Sequence, residues 1–316
     1  MTRQTPRGAP GVAIFGGAVF DRKYRARQPL VPGTSNPVDG SHSHGGVGRN
    51  VAENLARLGA RVLFSTIVGN DATGDALIGH LDSVGVDTGR VMRTSVRPTA
   101  EYAAILDEHS ELALGIADMA IFDLYGPEQL DRAWPATAAA EWVLADCNLP
   151  AQVLADLAAR CRAAGKRLAA NTVSAPKAVK LRGLLERIDL LFTNREEAGA
   201  LLGNDAATAV ECAEALRQAG AQTALVTAAA EGYALLADGA VDWYAAPPAS
   251  PVDITGAGDS MVAGTLFRLL NGDGLADAAR AGALLAARTT ETSDSVLAEL
   301  SPDFFARLVD AALVKG

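Results

Sequence analysis

The residues of this chain best suited to chemistry are a carboxylate and two glycines at the start of one helix. The string V-D-I-T-G-A-G-D-S-M, residues 252–261, runs into a segment with Val262, Leu266, Leu269 and Leu270 at helical spacing. Gly256 and Gly258 bracket the small Ala257, so backbone N–H groups at the helix start can face outward unshielded. With the positive end of the helix dipole behind them, those amides suit phosphate oxygens or the charge that develops as a phosphoryl group moves. Asp259 lies in the same turn. A carboxylate there would repel an anion, but it can take the proton of an attacking hydroxyl, as phosphoryl transfer requires. The plainer reading makes Asp259 a helix N-cap and the glycines ordinary turn residues.

A chain of 316 residues, 49% of them apolar and 21% charged, can bury a substantial core as one large α/β domain or two smaller ones. The net charge of −9, with no dense run of Lys or Arg, argues against a nucleic-acid surface. Cys147, Cys161 and Cys212 are widely spaced and form no C-x-x-C pair, which suits buried thiols in a reducing cytoplasm. Residues 11–20 are apolar but short, interrupted by glycine and followed by Asp21, so they read as a first strand rather than a signal peptide. No apolar run approaches a membrane span.

The elements that must hold such a site follow from periodicity. Residues 12–15 form a first strand, and 22–40 a polar, poorly periodic edge excursion. Val51, Leu55 and Leu58 mark a helix that begins near 46–49 and ends at Gly59. His42 and His44 read as solvated loop residues, without an acidic partner that would make them metal ligands. Residues 61–68 read as a strand, 73–84 as a helix and 91–93 as a strand start. Residues 99–107 and 111–116 form a hairpin. Strands at 142–146, 167–173, 188–193 and 223–227 alternate with helices at 153–164, 195–202 and 206–219, so the sheet is mostly parallel and covered on both faces. Ala237, Asp238 and Gly239 make a hairpin turn, and helices over 275–288 and 302–314 close the chain around a loop at 289–295. In such a sheet, ligands gather at the carboxyl ends of the strands. Asn171, Ser174 and Lys177 fall at one end, and Asn194 and Glu197, spaced as a capping box, at the next.

D-I-T-G-A-G-D followed by a helix closely resembles the signature of the ribokinase-like, or PfkB, family of carbohydrate and nucleoside kinases. Residues 41–59, S-H-S-H-G-G-V-G-R-N-V-A-E-N-L-A-R-L-G, resemble the family's other signature. The resemblance implies an α/β fold with a central, mostly parallel sheet flanked by helices and a small β lid. It implies one domain over 1–316, with lid segments at about 19–40 and 93–117. It also implies roles: Asp259 as base beside the amides of Gly256, Ala257 and Gly258, and Asp21, Gly45, Gly46, Asn50, Tyr102, Asn171 and Lys177 around the substrate. Asn194, Thr227, Gly232, Gly256 and Gly258 would face ATP, Glu197 would serve Mg²⁺, and Asp253 and Thr255 a monovalent cation such as K⁺. Where the family has T-x-G, this chain has Thr227, Ala228 and Ala229, so a glycine is missing.

G-G-V-G-R-N-V-A-E-N and N-T-V-S-A-P-K-A look like the forms found in the pseudouridine kinases of the family, although Thr172 stands where that subgroup has proline. The expected activity is ATP-dependent phosphorylation of the pseudouridine 5′-hydroxyl. The alternatives are a ribokinase or another sugar or nucleoside kinase, or a nucleoside-binding protein without catalysis. The expected partners are a small nucleoside or sugar and a second copy of the chain joined through the lid, without nucleic acid or membrane, in the cytoplasm.

Overall fold

The computed structural model describes residues 11–204 and 208–313. The chain opens with β1 (Gly11–Phe15), β2 (Val19–Ala26), β3 (Val38–Gly45), α1 (Val47–Arg57), β4 (Arg61–Ser65), β5 (Ile67–Gly69), α2 (Ala72–Ser83) and β6 (Met92–Thr94). It continues through β7 (Glu101–Leu106), β8 (Leu112–Asp118), α3 (Pro127–Thr137), β9 (Trp142–Asp146), α4 (Ala151–Ala163), β10 (Arg167–Asn171), α5 (Ala175–Ala178), β11 (Leu190–Asn194) and α6 (Arg195–Leu202). It ends with α7 (Ala209–Gln218), β12 (Ala224–Thr227), β13 (Gly232–Ala237), β14 (Ala240–Ala245), α8 (Ala257–Leu270), α9 (Leu275–Thr290) and α10 (Pro302–Leu313). The expected helices over 206–219 and 302–314 each extend past the described residues at one point, 206–207 and 314.

Eight strands form the main sheet in the order β14-β13-β12-β11-β10-β9-β1-β4. β4 to β12 in that order run parallel, and the β13–β14 hairpin closes one edge antiparallel. Successive residues of a strand point to opposite faces, so β1 feeds two cores. Val12 and Ile14 belong to the core on one face with Leu55 of α1 and Leu266 of α8, while Ala13 and Phe15 belong to the core on the other with Leu157 of α4 and Leu216 of α7. Leu55 and Leu266 are fully buried, and each contributes about 1.5–3 kcal/mol, which fixes α1 against α8 on one face. β1 pairs with β4 on one side and β9 on the other. The order therefore switches direction at β1, and in such sheets ligands gather beyond the carboxyl ends of the strands.

A smaller sheet, β3-β2-β7-β8, stands apart from the main one. The excursion expected over 22–40 is strand at both ends, over 22–26 and 38–40: β2 and β3 pair antiparallel from Val19–Gly45 to Ala26–Val38. Its side chains lack a clean apolar alternation because much of this sheet is open to solvent, and β8 is exposed along its whole length. His42 and His44 are strand residues rather than loop residues. His42 stacks on Phe20 at 5.3 Å, and His44 lies 4.8 Å from the His80 ring. The single strand expected over 61–68 breaks at Thr66, so that β5 leaves the main sheet to pair with β6. Helix α3, which apolar spacing did not reveal, carries Pro135 and buries only Leu130, Ala133 and Thr137. All three cysteines are buried and free. Among the described residues, no helix is long and apolar enough to cross a membrane.

Candidate active site

Helix α8 starts at Gly256, whose φ of 81° lies in the left-handed region. A β-carbon there would come within 2.1 Å of the Ser295 carbonyl oxygen, so both conformation and space require glycine. No side chain caps this helix. Asp259 is its third residue, and its carboxylate turns away from the cap position: Asn50 Nδ2 of α1 donates to Asp259 Oδ2 at 2.6 Å. The N-cap reading of Asp259 is thereby excluded. Asp259 is only 8% exposed. Burial pushes its pKa up to about 7, against the opposing pull of the Asn50 hydrogen bond and the Arg49 charge.

A cleft beside this carboxylate is lined by Asn171, Asn194, Glu197, Thr227, Gly258 and Asp259. Six residues named from sequence thus converge, from the carboxyl ends of β10, β11 and β12 and from the first turns of α6 and α8. A β-carbon on Gly258 would meet nothing within 4 Å, so the helix mouth borders open space. The first amides of a helix have no intrahelical partner; Gly258 borders that space beside Asp259, while Ala257 N donates to the Ile254 carbonyl at 3.3 Å. Asn194 and Glu197 form the expected capping box, with Glu197 N donating to Asn194 Oδ1 at 2.9 Å. Glu197 nevertheless lines the cleft, and Thr172 Oγ1 donates to its Oε2. Thr172, which departs from the proline expected there, therefore gives Glu197 a hydroxyl partner that proline cannot supply. Burial raises the Glu197 pKa. Val173, also on the cleft wall, has φ of 68°. A β-branched residue is strained in that region, and Asn171 Oδ1 holds it by accepting from Val173 N at 2.9 Å.

Asp21 sits on β2, in register with Tyr102 of β7. A β-carbon on Gly45 would fall 1.9 Å from Asp21 Oδ2, so the glycine admits the carboxylate against the β3–α1 junction. Gly46 has φ of 95° and abuts Gly17. Burial lifts the Asp21 pKa to about 6, with Arg49 and Lys23 pulling the other way. Asp21, Gly45 and Gly46 are not on the cleft wall, and neither are the other expected residues Tyr102, Lys177, Gly232, Asp253 and Thr255. Tyr102 leans on the main core with its hydroxyl next to Gly115. Lys177 is half-buried, its Nζ donating to Asn148 Oδ1 at 2.6 Å. Gly232 opens β13, its carbonyl accepting from Ala228 N at 2.8 Å. Asp253 Oδ1 accepts from Thr255 N and Oγ1 at 2.9 and 2.6 Å, and Oδ2 pairs with Lys23 at 3.1 Å.

Ala229 takes φ of 49° where the resemblance led one to expect glycine. A left-handed alanine costs about 1 kcal/mol, so Ala229→Gly should raise unfolding stability by roughly 0.5 kcal/mol after the added unfolded-state entropy. A lower urea midpoint for the glycine variant would contradict this.

Two elements of the site escaped the sequence reading. Asp146, at the end of β9, is fully buried. Its Oδ2 accepts from Gly17 N and Gly48 N, both at 2.8 Å, and Oδ1 accepts from Asn148 N at 2.8 Å. It joins the exit of β1 to the start of α1. An acid closing an apolar strand at the sheet's carboxyl edge was the available signal. The second is Arg49, buried beside Asn50.

Fold and site together define an α/β phosphotransferase acting on an alcohol. Residues 10–299 match the pfkB family carbohydrate kinase description, and the chain belongs to that family. It is 30% identical over 273 residues to the pseudouridine kinase of Escherichia coli, covering 85% of this chain and 87% of that protein. It is 28% identical to the guanosine-inosine kinase of Exiguobacterium acetylicum, covering 90% and 96%. A solved carbohydrate kinase from Agrobacterium tumefaciens superposes with a TM-score of 0.84 at 34% identity, over 95% of this chain and 97% of that one.

Proposed function

We propose that this protein transfers the γ-phosphoryl group of ATP to the 5′-hydroxyl of pseudouridine. The observation that carries the chemistry is the Asn50 to Asp259 contact at the mouth of α8. It holds a carboxylate of raised pKa beside helix-terminal amides, with a cleft in front of both. The choice of acceptor is supported by the similarity to the E. coli pseudouridine kinase and by the G-G-V-G-R-N string.

In this reading Asp259 takes the acceptor hydroxyl proton as its oxygen attacks phosphorus, and the Gly256, Ala257 and Gly258 amides stabilise the charge on the migrating group. Asp21, Gly45, Gly46 and Asn50 hold the ribose. Tyr102 and the lid, read as the small sheet with segments about 19–40 and 93–117, shield it from water, while Asn171 and Lys177 with Asn148 bound the base side. Asn194, Thr227 and Gly232 adjoin the nucleotide.

The donor set at Asn194 and Glu197 is oxygen-rich and fits Mg²⁺, which when bound would neutralise phosphate charge. Among the described residues no group of three or more His, Cys, Asp or Glu could hold a metal by itself, which suits an ion carried largely by phosphate and water. Asp253 and Thr255 already satisfy one another and Lys23, so no step is assigned to a monovalent cation.

Radiolabelled ATP offered with pseudouridine, uridine, ribose and fructose side by side should phosphorylate pseudouridine fastest. Turnover of ribose without pseudouridine would replace the acceptor, and nucleoside binding without ADP release would replace the activity. Because the base must be unprotonated and its pKa is raised to about 7, kcat should climb about tenfold per pH unit below 7 and level off above it. A flat profile between pH 5 and 8 would count against Asp259. Free, buried cysteines support a cytoplasmic location. Leu112, Leu114 and Ile116, more than half exposed along the edge strand β8, support a homodimer through the lid.

A further inference from the structure

Arg49 is 2% exposed, and its guanidinium reaches three separate parts of the chain. Toward the end of β3, Nε donates to the Gly45 carbonyl at 3.3 Å and Nη2 to the His44 carbonyl. Within α1, Nη1 pairs with Glu53 Oε2 at 2.6 Å and Nη2 donates to Asn50 Oδ1. Across the cleft mouth, Nη2 lies 3.3 Å from Ser295 Oγ, on the residue whose carbonyl walls Gly256. With Oδ1 of Asn50 taken by the guanidinium, Nδ2 is the end left to meet Asp259, and it does so at 2.6 Å. Glu53 is itself held by Arg57 and His80, so the guanidinium has a fixed seat.

We infer that Arg49 is a positioning residue of the reaction, setting the amide orientation of Asn50 and through it the Asp259 carboxylate, while stapling the acceptor loop and the Ser295 loop to the same point. The inference rests on the kinase reading above. A planar fork with donors on three nitrogens can face this many acceptors at once, two N–H groups of Nη2 being shared among three of them, and a lysine ammonium with its donors on one atom cannot. Charge and geometry are therefore separable by substitution. The groups that bear on Asp259 are Asn50 and Arg49 of α1, Asp146 of β9 and Glu197 of α6.

The deciding variant is Arg49→Lys, which keeps a cation for Glu53. With ATP, Mg²⁺ and pseudouridine, its kcat should fall about 10–100-fold, the usual loss when a supporting contact of an active-site group goes. The double variant with Asn50→Ala should lose less than the two single losses combined, because the part of the Arg49 effect that passes through Asn50 is already gone. Arg49→Met removes the charge as well and should shift the Asp259 titration to higher pH, read by carboxyl NMR of ¹³C-aspartate protein with Asp259→Asn assigning the resonance. Arg49→Lys keeps the charge but frees the Asn50 amide, so it should shift that titration in the same direction by less than Arg49→Met does. This readout needs no turnover, so it stands whichever acceptor the enzyme uses. A folded Arg49→Lys enzyme within about twofold of wild-type kcat, or losses that add in the double variant, would overturn the inference. An active Asp259→Asn enzyme would instead remove the kinase mechanism and leave the NMR coupling to be judged separately.

Discussion

Asp259→Asn should lower kcat by about 10²–10⁴, the range for loss of a general base, with little change in the acceptor KM. The same variant should be more stable than wild type at pH 8. Its amide Oδ1 can still accept from Asn50 Nδ2, so the contact at 2.6 Å survives in kind. What disappears is a buried charge. The folded-state pKa of about 7 stands above the usual 3.8 because burial disfavours the carboxylate, so between those two values the folded chain binds the proton more tightly than the unfolded one. Stability from this group is then greatest at acid pH, declines as pH rises from about 4 to about 7, and stays low above. The penalty at pH 8 is on the order of 2–4 kcal/mol. Thermal melts of the two proteins should diverge across that window, with the variant higher. A wild-type kcat would eliminate Asp259 as base, while coincident melting curves at pH 8 would eliminate the burial cost. Activity bought with a destabilising charge is a common pattern where a carboxylate must hold its proton near neutrality.

How much of this was legible in the sequence depended on how local each cause is. The βα rhythm from residue 142 onward was visible because strands covered on both faces are short apolar runs, such as W-V-L-A before Asp146. The Asn194 to Glu197 capping box was visible because its two members lie three residues apart and need nothing else. The β2 and β3 strands were not, since a sheet with an open face has no buried stripe to write into R-K-Y-R or S-H-S-H. Asn50 and Asp259 are separated by 209 residues, and nothing near either one announces the other. Only the resemblance joined them. Asp146 had neither aid: its partners Gly17 and Gly48 lie 129 and 98 residues away, and a single acid at a strand end has many uses.

That acid supplies the other large expected effect. Asp146→Ala should lower unfolding stability by about 3–5 kcal/mol, because buried amide donors lose their acceptors at about 1–3 kcal/mol each. The donors are Gly17 N, Gly48 N and Asn148 N, gathered around a carboxylate that is fully buried. Asp146→Asn should be only partly tolerated. Its single carbonyl oxygen can serve either the pair of glycine amides or Asn148, and the NH₂ on the other side then faces an N–H. The packing is also close, since a β-carbon on Gly16 would lie 2.4 Å from Asp146 Oδ2. The turn after β1 carries the Gly17 carbonyl against which Gly46 packs and to which Arg49 N donates at 3.1 Å. Loosening that turn should therefore raise the acceptor KM and, through the start of α1 that carries Arg49 and Asn50, lower kcat as well. Urea denaturation and steady-state kinetics on the two variants separate the effects. An alanine variant with the wild-type midpoint would show that the three amides find other partners, and a loss confined to kcat would place Asp146 among the reacting groups instead of beneath them.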